Sequence, residues 1–394
     1  MRTVGTVVRG VRAPIIKAGD DLASIVVDSI MAAHESEGFK FHDKDIVAIT
    51  EAVVGKAEGN FVTVDDIATD MQEKFPSKEV GIVFPILSRN RFSICLKGMA
   101  RGMDKIYIQL SFPSDEVGNG ILDEDTFEKS KYNLSSVITE KEYDKVFGNY
   151  IHPFTGINMV DFYRELVKSE NCEVEFVFSN DPKTILEYTK NVLVCDIHTR
   201  EKSKKLLSSK DTTVYSLADV MSKPIGDSGC NPEYGLLGSN KSTEEKLKLF
   251  PKTGDVLVKK IQEMLKEKTG KTIEVMVYGD GAFKDPVGKI WELADPVVSP
   301  AYTDGLEGTP NELKLKYISD NKYKDLSGQE LVDAMKKEIS TKDKNLKGKM
   351  ETQGTTPRRL TDLIGSLCDL TSGSGDKGTP IVFIQGYFDN FSDE

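Results

Sequence analysis

The segment Gly55-Lys56-Ala57-Glu58-Gly59 sets one ammonium group between glycines. A lysine flanked this way offers a point charge to a phosphate, and the backbone around it can approach the anion closely. The plain alternative is a surface turn with a solvated Lys–Glu pair. A second segment, Gly279 to Asp285 (GDGAFKD), follows an apolar run at Val275 to Val277. Asp280 is therefore expected at the carboxyl end of a strand, where α/β proteins commonly place ligands, with Asp285 about one turn later. Two carboxylates there suit Mg2+ or Mn2+, hard cations that take oxygen ligands. The alternative is a turn in which Asp280 bonds nearby amides. Arg89, Arg91, Lys97 and Arg101 concentrate positive charge in SRNRFSICLKGMARG. They read either as a grip for a carboxylate or phosphate or as a solvated helix face. His198, beside Asp196 at another strand end, reads as a general base or as a structural histidine. The sequence has no G-x-S-x-G or Walker A pattern.

Those residues need a frame. Apolar residues at helical spacing from Ala23 to Ala33, opened by Gly19-Asp20-Asp21, predict a capped helix. Asp45 to Thr50 predicts a short buried strand, and VVGKAEGNFV after it a turn or loop leading to another extended piece. A helix is predicted over 65–75 and a strand over 105–112. From Glu173 the pattern EVEFVFS, DPKTILEYTKN, VLVCDI, TREKSKKLLSS, TVYSLADV alternates strand and helix, which predicts parallel βαβ units in a subdomain over about 155–222. Its first βα turn, Phe178 to Lys183, lacks glycine and so lacks the dinucleotide fingerprint, which disfavours an oxidoreductase. A long helix is predicted over about 252–268, followed by strands beginning at Thr272 and near Thr379. Lysine-rich 336–349 reads as a solvated helix end and loop, and the Gly/Pro-rich stretch after Trp291 as a lid-like loop.

The chain has 394 residues, 39% hydrophobic and 29% charged, the profile of a soluble globular protein with a sizeable core, expected as two lobes. A net charge of −11 argues against nucleic acid as a partner. No run approaches the ~20 apolar residues of a membrane span, and the start lacks a signal-peptide core, so a cytoplasmic location is expected. The five cysteines are odd in number, with no C-x-x-C pair, and read as buried small hydrophobes.

APIIKAGDDLASIVVDSI followed by DKDIVAITEAVVGKAEGNFV resembles the N-terminal pattern of the coenzyme F-420 γ-glutamyl ligase family. That pattern is a Pro, a Gly-Asp-Asp-Leu opening a helix, then a strand leading to Lys-Ala-Glu-Gly. LLGSNKSTEEKLKLFP, VYGDGAF and GTPIVFIQG are similar to the family's Ser-Asn, strand-ending Asp and final Pro-strand-Gly. The resemblance implies a mixed α/β, γ-glutamyl-ligase-like fold. In it, 1–80 and 225–394 form one domain, and 81–224 is an inserted region that includes the βαβ subdomain.

Carried over by position, the resemblance puts Arg12, Ala13, Pro14 and Ile15 beside a nucleotide, Gly55 and Lys56 at its phosphates, and Asn240 among the groups that hold it. Asp280, with Asp285, would bind the divalent metal. The chain departs from the family at Leu237, where an acidic metal ligand is usual, at Gly281, where Thr is usual, and at Gly55, where Ser is usual. Glu292, Asp295 and Asp304 are reserve carboxylates. The implied reaction uses a nucleoside triphosphate, GTP in the family, to phosphorylate a substrate carboxylate, and the amine of L-glutamate then displaces the phosphate. The family implies small-molecule substrates and a homodimer. Leu237 also motivates a different reading, a nucleotide- or metabolite-binding protein of the same fold without ligase turnover.

Overall fold

A computed structural model describes residues 3–153, 155–279, 283–284, 291–292, 299–352, 358–371, 373 and 375–392. The architecture is mixed α/β, as the alternation of periods predicts. One sheet runs Val7–Val11, Ile381–Gln385, Ile46–Thr50, Glu274–Tyr278, Ala301–Tyr302. Its three central strands, IVFIQ, IVAIT and EVMVY, are buried at every residue. Helices Leu22–Glu37 and Gly254–Thr269 cover one face, and helix Leu360–Thr371 packs on the other. Burial on both faces explains why these strands read as almost unbroken apolar runs. Each Val or Ile so buried contributes about 1.5–3 kcal/mol relative to exposure. Ile46–Thr50 and Glu274–Tyr278 are parallel, with Thr50 opposite Tyr278, so both strands end at the same edge of the sheet. The first helix is capped as expected: Asp21 accepts from the Ser24 hydroxyl at 2.8 Å.

A second sheet runs Ile138–Thr139, Glu173–Phe178, Lys105–Leu110, Glu79–Val83, Asn191–Val194, Thr213–Ser216, and all but the first of these strands are parallel. The parallel set therefore extends beyond 155–222 to two earlier strands. DPKTILEYTKN does not form the expected α-helix. Pro182–Glu187 is a 3-10 turn, opened by Asp181 accepting from the Lys183 amide at 3.0 Å. The Ser179–Thr184 hydroxyl contact at 2.8 Å holds that turn, which leaves too few residues for an α-helical run before the next strand. TVYSLADV is strand only to Ser216, after which a Ser216–Asp219 capping box opens a short 3-10 turn.

In this sheet the chain passes from Glu173–Phe178 across to Asn191–Val194, on the far side of Glu79–Val83, so the strand order reverses there. Two adjacent carboxylates span the loops at that point. Asp115 accepts from the Leu87 amide at 2.8 Å, and Glu116 accepts from the amides of Ile197 and His198. Helix Phe92–Gly102 starts beside the same loops.

A third sheet pairs the hairpin Asn240–Thr243/Lys246–Lys248 with Phe61–Thr63, setting Leu247 opposite Val62. Val62, Ile67, Met71, Leu237, Leu247 and Leu249 share one apolar core with the helical face of the second sheet. Four cysteines are buried and Cys230 is half-buried, all as free thiols. Among the described residues no helix is long and apolar enough to cross a membrane.

Candidate functional site

The segment read from sequence as a turn or loop is a helix, Glu51–Ala57. Thr50 is extended ahead of it, Glu51 puts negative charge in its first turn, and Val53 and Val54 bury into the core of the first sheet. Gly55 obscured the helical pattern, and the packing explains its presence. A Cβ there would lie 2.9 Å from the Leu249 carbonyl oxygen and 3.3 Å from Cδ of Lys248. Glycine therefore lets the strand carrying Lys248 come down on the helix.

Lys56 falls in the last turn and is exposed. Among the described residues no carboxylate pairs with it. Glu58 does not form the Lys–Glu surface pair. It accepts from the Lys252 and Thr253 amides at 3.0 and 2.9 Å and from the Thr253 hydroxyl at 2.6 Å, which covers the start of helix Gly254–Thr269 with negative charge.

A cavity of about 400 Å³ opens where these pieces meet, lined by Thr50, Glu51, Lys56, Asn240, Lys248 and Tyr278, with Asp369 and Gly373 at its wall. These residues reach it from elements far apart in sequence. Thr50 and Tyr278 come from the paired ends of two parallel strands, and Glu51 and Lys56 from the helix that follows Thr50. Asn240 and Lys248 face each other across the hairpin. Lys248 Nζ lies 2.6 Å from Glu51 Oε2, with both side chains about nine-tenths buried. Among the described residues the Tyr278 hydroxyl is buried without a hydrogen-bond partner. Burial holds that phenol well above its ordinary range, with Cys368 and Asp369 adding to the effect, so it is a neutral donor.

Among the described residues the cavity thus presents one ammonium without a carboxylate partner, an amide side chain, the Lys248–Glu51 and Lys241–Glu244 pairs and the Asp369 carboxylate, with Lys56 and Asn240 the groups suited to anionic oxygen. The hairpin wall is fixed from outside. The Lys241 amide donates to Asn90 O at 2.8 Å, and Arg101 reaches Glu245 at 2.8 Å and Glu170 at 2.8 Å. Lys97 also pairs with Glu245.

Sequence reasoning placed Lys56 and Asn240, and they meet in this cavity. Arg12 and Pro14 line a different depression, with Arg9 and Asp28, on the outer edge strand and the first helix. Ile15 is exposed. The Ala13 amide donates to Gly378 O at 3.2 Å, and Gly373, which lines the Lys56 cavity, bridges to Thr379. One loop therefore separates the 12–15 segment from Lys56.

Leu237 is 1% exposed in the apolar core, where a carboxylate would be buried without a partner. Within the basic tract, Lys97 and Arg101 are engaged by Glu170, Glu245 and Asp65, while Arg89 is exposed. His198 is exposed outside the cavity, and its backbone amide binds Glu116. Asp280, Gly281, Asp285 and Asp295 lie outside the described residues, and Asp304 begins an exposed 3-10 turn. Among the described residues no group of three or more His, Cys, Asp or Glu is arranged to hold a metal ion.

Sequence reasoning missed Glu51, Lys248 and Tyr278. The available signals were a charge at the first position after a buried strand, a lysine set between Leu247 and Leu249, and a tyrosine ending the apolar run Val275 to Val277.

A stretch of 82 residues is 32% identical to a coenzyme F420:L-glutamate ligase of Methanothermobacter thermautotrophicus, covering 20% of this chain and 31% of that relative's length. The model of the F420-0:Gamma-glutamyl ligase family matches residues 10–386, nearly the whole sequence, and the chain belongs to that family.

Proposed function

We propose that this protein is a nucleotide- and metal-dependent carboxylate–amine ligase that joins the carboxylate of an acceptor related to coenzyme F-420 to the amine of L-glutamate. The observation that carries the reading is the meeting of Lys56 and Asn240, far apart in sequence, in one cavity whose donors suit phosphate oxygens. In the proposed reaction a nucleoside triphosphate, GTP by family resemblance, phosphorylates the acceptor carboxylate, and the amine of L-glutamate displaces the phosphate. Little covalent work falls to the protein. Lys56 offsets charge on the transferring phosphoryl group, Asn240 orients it, and the Glu51–Lys248 pair holds the cavity floor in place.

Mg2+ or Mn2+, when bound, would neutralise phosphate oxygens. Asp280 and Asp285 are the residues that would hold it, on the strength of the resemblance. We also propose a cytoplasmic homodimer, and a domain made of 1–80 and 225–394 with 81–224 inserted.

The test is a thermal-shift and calorimetric screen of GTP and ATP with and without Mg2+ or Mn2+, since a ligand of the native state raises apparent stability. Metal-dependent binding is expected, and Lys56→Ala should weaken it by about 1.5–3 kcal/mol without lowering the melting temperature. Binding unchanged by Lys56→Ala removes Lys56 from the site. The buried Leu237 favours one second reading, a nucleotide-binding protein of this family without turnover. Tight metal-dependent binding with no amide product on any acceptor would select it.

A further inference from the structure

Phe61 lines the same cavity from the strand Phe61–Thr63. The register sets it opposite Lys248, which is in turn opposite Asn240, so one row across the three strands carries a ring, an ammonium and an amide. Residues directly opposite share a face of the sheet, and faces alternate along each strand. Val62 and Leu247 turn into the apolar core, which puts Phe61 and Lys248 on the other side, towards the cavity. Phe61 is only partly buried and joins none of the apolar cores. Lys246 Nζ lies 4.6 Å from its ring centroid and covers one face, which leaves the rest of the ring for the cavity. An aromatic surface beside a few converging polar groups is the usual make-up of a small-molecule pocket.

We propose that Phe61 is a specificity-determining residue, the aromatic wall against which the base of the bound nucleotide packs while Lys56 and Asn240 take its phosphate oxygens. The inference rests on the nucleotide reading of this cavity, and it adds a contact to the base that the reading does not contain. The lining divides by chemistry. Lys56 and Asn240 suit anionic oxygen, whereas the ring of Phe61 suits another planar π system, set offset or edge-on. A nucleotide brings both parts in one molecule. The Phe61 ring has no hydrogen-bonding atom, and every base has a π face, so this contact favours nucleotides over bare polyphosphate without choosing among bases.

Phe61→Leu keeps apolar bulk and removes the ring, and Phe61→Tyr keeps the ring. The full chain and both variants are titrated calorimetrically with GTP, ATP and inorganic triphosphate, each with Mg2+, and are melted without ligand. Phe61→Leu is expected to bind GTP about tenfold more weakly, with a similar loss for ATP and none for triphosphate. Phe61→Tyr should bind all three as the wild type does. Ligand-free melting temperatures should stay at the wild-type value, because the ring joins no core. A clear fall in Phe61→Leu would show that the ring braces the hairpin and would overturn the proposal. Equal loss for GTP and triphosphate would show that the ring only shapes the phosphate site, and undiminished GTP binding in Phe61→Leu would show that it touches no base. Either result overturns the proposal and leaves the nucleotide reading standing. Wild-type protein that takes up none of the three probes would overturn both.

Discussion

The Glu51–Lys248 pair allows a quantitative test of how the cavity floor is held. At 2.6 Å and an effective dielectric constant near 20, the gross attraction is about 6 kcal/mol. Taking both ions out of water costs several kcal/mol each, so the pair contributes little net stability as a unit. Removing one partner is another matter. Lys248→Met leaves the Glu51 carboxylate buried with its cation gone, a situation that costs about 3–5 kcal/mol in protein interiors. The lower end applies here, because the pair borders an open cavity and water can enter to solvate the orphaned group. Glu51→Gln/Lys248→Met, which removes both charges while keeping the volume, should fall within about 1 kcal/mol of wild type. The assay is a double-mutant cycle on urea unfolding midpoints, with the slope checked for constancy across the four proteins. A coupling energy of about 2 kcal/mol or more is expected. If Lys248→Met costs under about 0.5 kcal/mol and the two substitutions are additive, the pair is not the desolvated contact described, and its role in fixing the cavity is wrong.

Two further outcomes follow from the same geometry. Gly55→Ala gains about 0.5–1 kcal/mol of helix preference but drives a methyl group to 2.9 Å from a backbone oxygen, and overpacking of that kind costs about 1–3 kcal/mol. A net destabilisation is expected in urea melts, with weakened nucleotide binding as Lys248 is displaced; a stabilised variant would show that the strand yields freely. Burial holds the Asp196 carboxyl above its ordinary range, against hydrogen bonds from Thr199 and Ser203, and one of its oxygens has no partner among the described residues. A carboxylate whose folded pKa is raised binds protons more tightly in the native state, so its contribution to stability falls as pH rises from the unfolded value through the folded one. The stability of Asp196→Asn relative to wild type should therefore increase from about pH 4 towards neutrality and then level off. A difference independent of pH over that interval would contradict the raised value.

How far the sequence carried depended on whether a signal was local. The buried strands Ile46–Thr50 and Glu274–Tyr278 were legible because residues packed on both faces must be apolar throughout, and the capped first helix because Asp21 lies next to a 3.6-residue pattern. Lys56 and Asn240 were legible as chemistry through the segments around them. The helix bearing Lys56 was not, because Gly55 and the valines before it are poor helix formers, and tertiary packing overrode their preference. The Glu51–Lys248 pair was illegible for a stricter reason. It exists only because Leu247 pairs with Val62, a register set by residues far apart in sequence. The unsatisfied hydroxyl of Tyr278 is likewise a property of its surroundings. Asp280 and Asp285 remain readings from sequence.

The carboxylates at the reversal of the second sheet act like a cross-brace. Asp115 ties down the loop after one strand and Glu116 the loop after the next strand over, so three loops at that end are fastened together from within. Helix Phe92–Gly102 grows from the first of these loops, and its Lys97 and Arg101 grip Glu245 in the hairpin that carries Asn240 and Lys248, while Asn90 holds the hairpin backbone at Lys241. Stiffness at the brace is thus transmitted through one helix to the wall of the cavity. A sheet with the strand order of a ligand receptor serves here as an abutment, and loosening its loops would be felt at Asn240 and Lys248, in a site the loops meet only through the Asn90–Lys241 backbone bond.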